Sequence, residues 1–211
     1  MTRGRSRPLQ LGRLARGSPW LTLACVAAGG LASVWPGAGA ALQYDRQLVA
    51  AGEAWRLVTA QFVHWTPRMT LIDLGAILVL GGWLETHGWR RQVAAALAAA
   101  LAVTALYLPL SALGLYRGSS GLGSALFVLA ALTALTTASR GSRWFAALAL
   151  AGFVAKLFLD LAGLAFVASG PLPAGIAAVP GVHLLCGAAG ALAWRRSPAT
   201  ANGPGQPATL S

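Results

Sequence analysis

The stretch that decides the fold is YRGSSGLGSALFVLAALTALTTA, residues 116–138. After Arg117 no charged residue occurs until Arg140, and the residues between them are mostly Leu, Ala, Val, Phe, Thr and Gly. A helix needs about 20 predominantly apolar residues to cross the hydrocarbon core of a bilayer. The sequence therefore predicts a membrane-spanning helix over 119–138, which a Gly-Ser-Ser-Gly motif opens.

Five further stretches, on both sides of this one, are apolar enough to span a membrane: 19–35, 70–85, 93–110, 144–168 and 179–194. The composition agrees, because 56% of residues are hydrophobic and 10% are charged, whereas soluble domains carry about 25% charged residues. We predict an all-α integral membrane protein, with a six-helix bundle over 19–195. A basic cytoplasmic segment (1–18) precedes the bundle, and a disordered cytoplasmic tail (196–211) follows it.

The charge balance indicates membrane topology. Sixteen Lys and Arg against five Asp and Glu give a net charge of +11, which in a soluble protein would suggest nucleic-acid binding. Here the basic residues form small groups between apolar runs. If the N-terminus is cytoplasmic, 11 of the 16 lie on the cytoplasmic side: Arg3, Arg5, Arg7, Arg13, Arg16, Arg90, Arg91, Arg140, Arg143, Arg195 and Arg196. We therefore predict two cytoplasmic termini in a bacterial inner membrane, with the bilayer and not nucleic acid as partner.

The N-terminal segment has a second interpretation. Its arginines, followed by the apolar run from Trp20 to Leu31, are also compatible with a signal peptide. However, no small-x-small cleavage site followed by a hydrophilic domain occurs, and further apolar segments come next. These features favour a first membrane helix.

The residues most often used for redox or metal chemistry are few. Cys25 and Cys186 both lie inside apolar runs, which favours small core residues over a disulfide or a metal site. His87 lies in a polar turn beside basic residues, which favours a solvated loop histidine. We therefore predict no metal and no cofactor.

The connection between the first two apolar segments, residues 36–69, is too long for a simple turn. It carries several aromatic residues among scattered charges: Tyr44, Trp55, Phe62 and Trp65. Such amphipathic material is typical of the membrane interface. Long ordered loops are also more often functional than structural, so we expect this external loop to shape substrate access.

The Gly-Ser-Ser-Gly motif could carry chemistry. Gly118 and Gly121 would leave space around the hydroxyl of Ser120. The start of a helix also provides N–H groups without intrahelical partners, which could stabilise an oxyanion. Taken alone, the motif is explained at least as well by small-residue helix packing.

His183 changes that balance, because a histidine inside a membrane span is costly and usually functional. In the predicted topology Ser120 and His183 enter from the same external face, at depths that agree within one helical turn. Gly121, Gly187 and Gly190 would let the two helices touch. A neutral imidazole could then accept the serine proton.

A third catalytic residue is not evident. Asp160 lies in the fifth segment, but Lys156 precedes it by one helical turn and is its expected partner. The sequence therefore predicts a Ser120–His183 dyad and not a triad. A hydrogen-bonded packing role for His183 is the alternative.

These motifs resemble those of the rhomboid family of intramembrane serine proteases, whose hallmark is Gly-x-Ser-Gly at the start of the fourth helix and a catalytic His in the sixth. Residues 52–64 resemble the family's first-loop signature, which ends in a His, here His64. Residues 80–85 resemble the end of its second helix. The compact form, and Tyr116 placed two residues before the motif, are most similar to the rhombosortase branch. The resemblance covers about residues 50–195 and implies a six-helix rhomboid-like bundle.

The resemblance also implies where an oxyanion would bind. The family usually follows the loop His by a second His five residues on and by an Asn four beyond that. Met69 and Asp73 occupy these positions here. Methionine cannot donate a hydrogen bond, whereas a protonated Asp73 could, and pairing of Asp73 with Arg68 is the alternative. The oxyanion candidates are therefore Ser119, His64 and Asp73, and the helix-packing candidates are Gly118, Gly121, Gly187 and Gly190.

The expected function is that of an intramembrane serine endopeptidase, which cleaves a membrane-anchored protein in or near its transmembrane segment. Similarity to rhombosortases implies substrates with a short Gly-rich motif, an apolar helix and a basic tail. A catalytically impaired rhomboid-like protein that binds membrane clients is the alternative. A small transporter is disfavoured, because the sequence has no internal repeat.

Overall fold

A computed structural model describes residues 17–164, 176 and 178–196. The predicted basic segment, apart from residues 17 and 18, and the predicted tail beyond residue 196 lie outside the described residues. The elements in chain order are α1 (Trp20–Val34), α2 (Ala38–Leu42), β1 (Tyr44–Asp45), α3 (Arg46–Ala50), α4 (Arg56–Thr59), a 3-10 turn (Ala60–Phe62), α5 (Pro67–Thr86), α6 (Arg90–Leu110), β2 (Leu115–Tyr116), α7 (Ser120–Thr137), α8 (Arg140–Leu161) and α9 (Pro180–Arg195).

The prediction of an all-α membrane protein is confirmed at the level of class. Four helices, α5 to α8, are long and apolar enough to cross a membrane. The helices α1 and α9 have 15 and 16 residues, which gives lengths of about 22 and 24 Å against a hydrocarbon core of about 30 Å. One helix falls in each of the six predicted segments, while a count of six membrane crossings stays a prediction.

Two of the predicted boundaries differ from the structure for identifiable reasons. The helix α5 begins at Pro67 instead of residue 70, because the side chain of Thr66 accepts a hydrogen bond from the amide of Met69 and caps the helix. The prediction that the fifth segment continues to residue 168 is wrong for α8, which ends at Leu161. Gly163 adopts a φ of 77°, the left-handed conformation that commonly terminates helices. Residues 165–168 lie outside the described residues.

The helix α7 forms the centre of the bundle and packs against α5, α6, α8 and α9. Its Leu122, Leu126 and Leu129 are fully buried. Of its apolar stretch 56% is buried, against 17% of the corresponding stretch in α8. The helix that carries Ser120 is therefore fixed on several sides, while α8 mainly faces outward.

A buried carboxylate joins α1 to α5. The side chain of Glu85 is fully buried and accepts hydrogen bonds from the amide of Thr22 at 2.7 Å and from its hydroxyl at 2.6 Å. The amide of Leu21 donates to the same carboxylate, and Arg90 lies 3.5 Å from it. The first amides of a helix have no intrahelical acceptor, so Glu85 satisfies donors that lipid could not.

The loop between α1 and α5 is ordered and connected to the start of α7. Its strand β1 pairs with β2 in antiparallel register, with Tyr44 opposite Tyr116. The buried Arg56 donates to the carbonyls of Ala40 and Gln43. Because β2 ends only a few residues before Ser120, this pairing fixes the loop against the entrance of α7.

Candidate active site

The turn before α7 explains why Gly118 stands where it does. Gly118 has a φ of 137°, which side chains other than glycine rarely adopt. Its amide donates to the carbonyl of Ala60 at 3.0 Å, and its carbonyl accepts from the phenol of Tyr116 at 2.8 Å. Gly118 was predicted to be a helix-packing glycine. It instead shapes the turn that presents the two serines.

Tyr116 is held in its neutral form at this turn. Burial raises the pKa of the phenol. A neutral phenol keeps its proton and remains a hydrogen-bond donor. Tyr116 therefore stabilises the turn through Gly118 and does not act as a base.

Ser120 and His183 are brought together by the two helix starts. Ser120 is the first residue of α7, and His183 lies in the first turn of α9, which Pro180 begins. His183 Nε2 and Ser120 Oγ are 2.9 Å apart and share a hydrogen bond. This is the distance at which an imidazole can accept a serine proton.

Three of the packing glycines allow this approach. A Cβ on Gly121 would lie 2.9 Å from Val182 Cγ1, and a Cβ on Gly190 would lie 2.1 Å from the carbonyl oxygen of Ala125. A Cβ on Gly187 would lie 3.4 Å from Val128 Cγ2 on α7 and 3.3 Å from the ring of Phe153 on α8. The helices α7 and α9 therefore touch along a seam of small residues, which sets the distance between serine and histidine.

A second serine–histidine pair lies beside the first. His64 Nε2 and Ser119 Oγ are 3.0 Å apart. The same nitrogen lies 3.3 Å from Asp73 Oδ2, but without the angle of a hydrogen bond, so that Asp73 Oδ2 has no hydrogen-bond partner within the described chain. Asp73 thus lies at ion-pair distance from His64, and not from Arg68 as the sequence had suggested as an alternative.

The two residues at the oxyanion positions implied by the resemblance flank this turn. A Cβ on Gly118 would lie 3.4 Å from Met69 Cε and 3.6 Å from Asp73 Oδ2. Met69 offers no polar hydrogen. Among the predicted oxyanion candidates, His64 and Ser119 can donate a hydrogen bond, and so can Asp73 when it is protonated.

A cavity of about 370 Å³ opens over the first pair. Both Ser120 and His183 line it, together with apolar side chains such as Ile72, Phe127 and Phe153. Its polar wall is formed by charged side chains: Asp73, Arg117, Lys156 and Asp160. Among these, Lys156 and Asp160 form the ion pair expected from their spacing. A mainly apolar cavity with a few convergent polar groups is typical of a ligand site.

Sequence reasoning missed the role of Arg117. Its guanidinium lies 4.3 Å from the centroid of the Trp65 ring, within the range of a cation–π contact, and its Nε donates to Gln43 at 2.8 Å. The pairing of His64 with Ser119 was also missed. Both contacts join the long loop to the start of α7, and no spacing within either segment indicates them.

Metal ligation finds no support in the described residues, where no group of three or more His, Cys, Asp or Glu could hold an ion. Cys25 and Cys186 are free thiols, and Cys186 is buried between Thr104 and the carbonyl of Ala100. The exposed His87 contacts the carbonyl of Trp83 at the end of α5.

No protein-family model, no curated protein and no solved structure matches this chain.

Proposed function

We propose that the protein is an intramembrane serine endopeptidase of the rhomboid type, with Ser120 as nucleophile and His183 as general base. The observation that carries this proposal is the 2.9 Å hydrogen bond between Ser120 Oγ and His183 Nε2, placed in the wall of an apolar cavity. A serine and a neutral histidine at this distance, with space for a peptide beside them, fit acyl transfer better than packing.

The chemistry follows from these two residues. Ser120 Oγ attacks the carbonyl carbon of the scissile bond while His183 Nε2 takes the hydroxyl proton. The imidazolium then gives that proton to the departing amine, which leaves an ester on Ser120. Water attacks the ester in the second half of the reaction, with His183 again as the base, and the carboxylic acid product and free serine result.

The oxyanion would lie at the start of α7. The first amides of a helix lack intrahelical acceptors, so the amides of Ser119 and Ser120 can face the developing charge. Asp73 lines the cavity beside that position, and the fully buried His64 lies 3.3 Å behind it. Because Met69 cannot donate a hydrogen bond, stabilisation of the oxyanion would depend on these groups.

The apolar helices indicate the class of substrate. Four of them suit a bilayer, and Ser120 and His183 each lie at the start of their helices, at one end of the bundle. We propose six crossings with both termini cytoplasmic. The site would then open to the external face and cleave a membrane-anchored protein in or near its transmembrane segment.

Labelling with an alkyl fluorophosphonate tests the dyad, because this reagent forms a covalent bond with an activated serine. We expect purified full-length protein to be labelled at Ser120, and both Ser120→Ala and His183→Ala to abolish labelling. Ser142→Ala is the matched control, since Ser142 is exposed near the start of α8 and is not among the residues that line the cavity. It should retain labelling.

The outcomes separate the two candidate functions. Labelling that survives in the Ser120→Ala variant would reject this mechanism. A protein that remains unlabelled in every form, yet is recovered with membrane proteins crosslinked to it, would instead favour a client-binding protein without catalytic activity.

A further inference from the structure

The ion pair Lys156–Asp160 lies in the wall of the cavity, and the reaction proposed for the dyad does not use it. Both residues line the same cavity as Ser120 and His183. Lys156 donates a hydrogen bond to Asp160 Oδ2. The other oxygen, Oδ1, is buried and has no hydrogen-bond partner in the part of the chain that the structure describes.

An orphan oxygen in this position is costly. The Asp160 side chain is 3% exposed, and a buried acceptor that has lost water without gaining a donor is destabilising. Hydrogen bonding to an occupant of the cavity would remove that penalty. The Asp160 carboxylate therefore points to a ligand with an N–H or O–H donor.

The Lys156 ammonium requires a hydrogen-bond acceptor in the ligand. It carries three donors, of which one is used by Asp160, and its side chain is 36% exposed. The pair as a whole is neutral and presents a donor next to an acceptor. A cationic ligand would be repelled by Lys156, and an anionic ligand would be repelled by Asp160 Oδ1. The best complement is a neutral group that both accepts and donates, as a peptide unit does.

An intramembrane substrate has such groups to satisfy. A helix must unwind before a protease can reach its main chain, and its freed N–H and C=O groups then need partners where water is scarce. We propose that Lys156 and Asp160 bind the main-chain carbonyl and amide of the unwound substrate segment beside the scissile bond. This inference rests on the proposed function and assigns a substrate-binding role to a pair outside the dyad.

Peptide probes with single amide-to-ester replacements test it, because an ester keeps the carbonyl but removes the N–H donor. The parent probe is tetra-alanine that carries a fluorophosphonate at its C-terminus, and three analogues each hold one ester. The reference is the alkyl fluorophosphonate without a peptide. The rate of Ser120 modification is followed by intact mass on the detergent-solubilised full chain.

In the unsubstituted protein, an ester at one of the three positions should slow the modification of Ser120 by about 2- to 12-fold. This corresponds to the loss of one hydrogen bond of about 0.5–1.5 kcal/mol. In the double variant Lys156→Met/Asp160→Leu, which removes both charges together and leaves neither partner buried alone, that ester should no longer slow the reaction. Each rate is divided by the rate of the same variant with the alkyl reagent, so that any change in the fold or the dyad cancels from the comparison.

Three results would overturn the inference: equal ester penalties in the parent and the double variant, no penalty at any position, or a peptide probe no faster than the alkyl reagent in the parent protein. Absence of Ser120 labelling by the alkyl reagent would reject the proposed function itself.

Discussion

Two neighbouring serines each contact a histidine, and their exposure separates their roles. Ser120 is partly exposed and lines the cavity, whereas Ser119 is buried and contacts the loop residue His64. A substrate carbonyl can reach only the first. Ser120 is thus accessible from the cavity, while Ser119 connects the turn to the loop through His64.

His64 and Asp73 should act as one unit in the proposed reaction. They lie 3.3 Å apart, and residues in contact are expected to give non-additive effects. We expect His64→Ala and Asp73→Leu each to slow Ser120 modification, by up to about 10²–10³-fold, the loss typical of one oxyanion donor. The double variant should be little worse than the more damaged single variant.

Asp73→Asn is the matched control for this cycle, since it keeps shape and a donor and should retain most of the rate. Rate constants with the alkyl fluorophosphonate give the measurement. Losses that multiply fully in the double variant would show that the two residues act separately.

At the scale of elements, the helices could be predicted and their contacts could not. Long apolar runs such as 93–110 leave helix as the only open-chain way to satisfy a backbone in lipid, and α6 occupies Arg90–Leu110. The proximity of Ser120 and His183 was also expected from the sequence, and their side chains lie 2.9 Å apart. By contrast, His64–Ser119 and Arg117–Trp65 join segments about 50 residues apart, and nothing local to either segment encodes that proximity.

Gly190 should be the least replaceable residue of the seam between α7 and α9. A Cβ there would lie 2.1 Å from the backbone oxygen of Ala125, where no side-chain movement can relieve the clash. Gly190→Ala should destabilise the protein by about 1–3 kcal/mol, as overpacking usually does. The forced separation should also move His183, two turns away, and a displacement of about 1 Å can slow a reaction about 10²-fold.

Gly152→Ala on α8 is the control, because nothing lies within 4 Å of its added Cβ. Thermal unfolding in detergent and the rate of Ser120 modification are the two measurements. If Gly190→Ala behaved like Gly152→Ala in both, the seam would not set the Ser120–His183 distance.

The whole molecule has two chemically different ends. At one end lie the starts of α7 and α9, the cavity and the ordered loop with its aromatic residues. At the other end Glu85 binds the start of α1 beside Arg90. The basic residues near this second end favour the cytoplasm under the positive-inside rule, so the end with the cavity is expected to face outward.

Single cysteines can test that orientation in cells. In a background with Cys25→Ala and Cys186→Ala, Gln47→Cys places a thiol on the exposed face of α3, and Ser142→Cys places one near the start of α8. A membrane-impermeant maleimide should label Gln47→Cys in intact cells but label Ser142→Cys only after permeabilisation, because one position is predicted to be external and the other cytoplasmic. The reverse pattern would place the cavity on the cytoplasmic side. Equal labelling of both in intact cells would mean that α7, which lies between the external loop and α8 in the chain, does not cross the membrane. The predicted external location of Ser120 and His183 would then lose its basis.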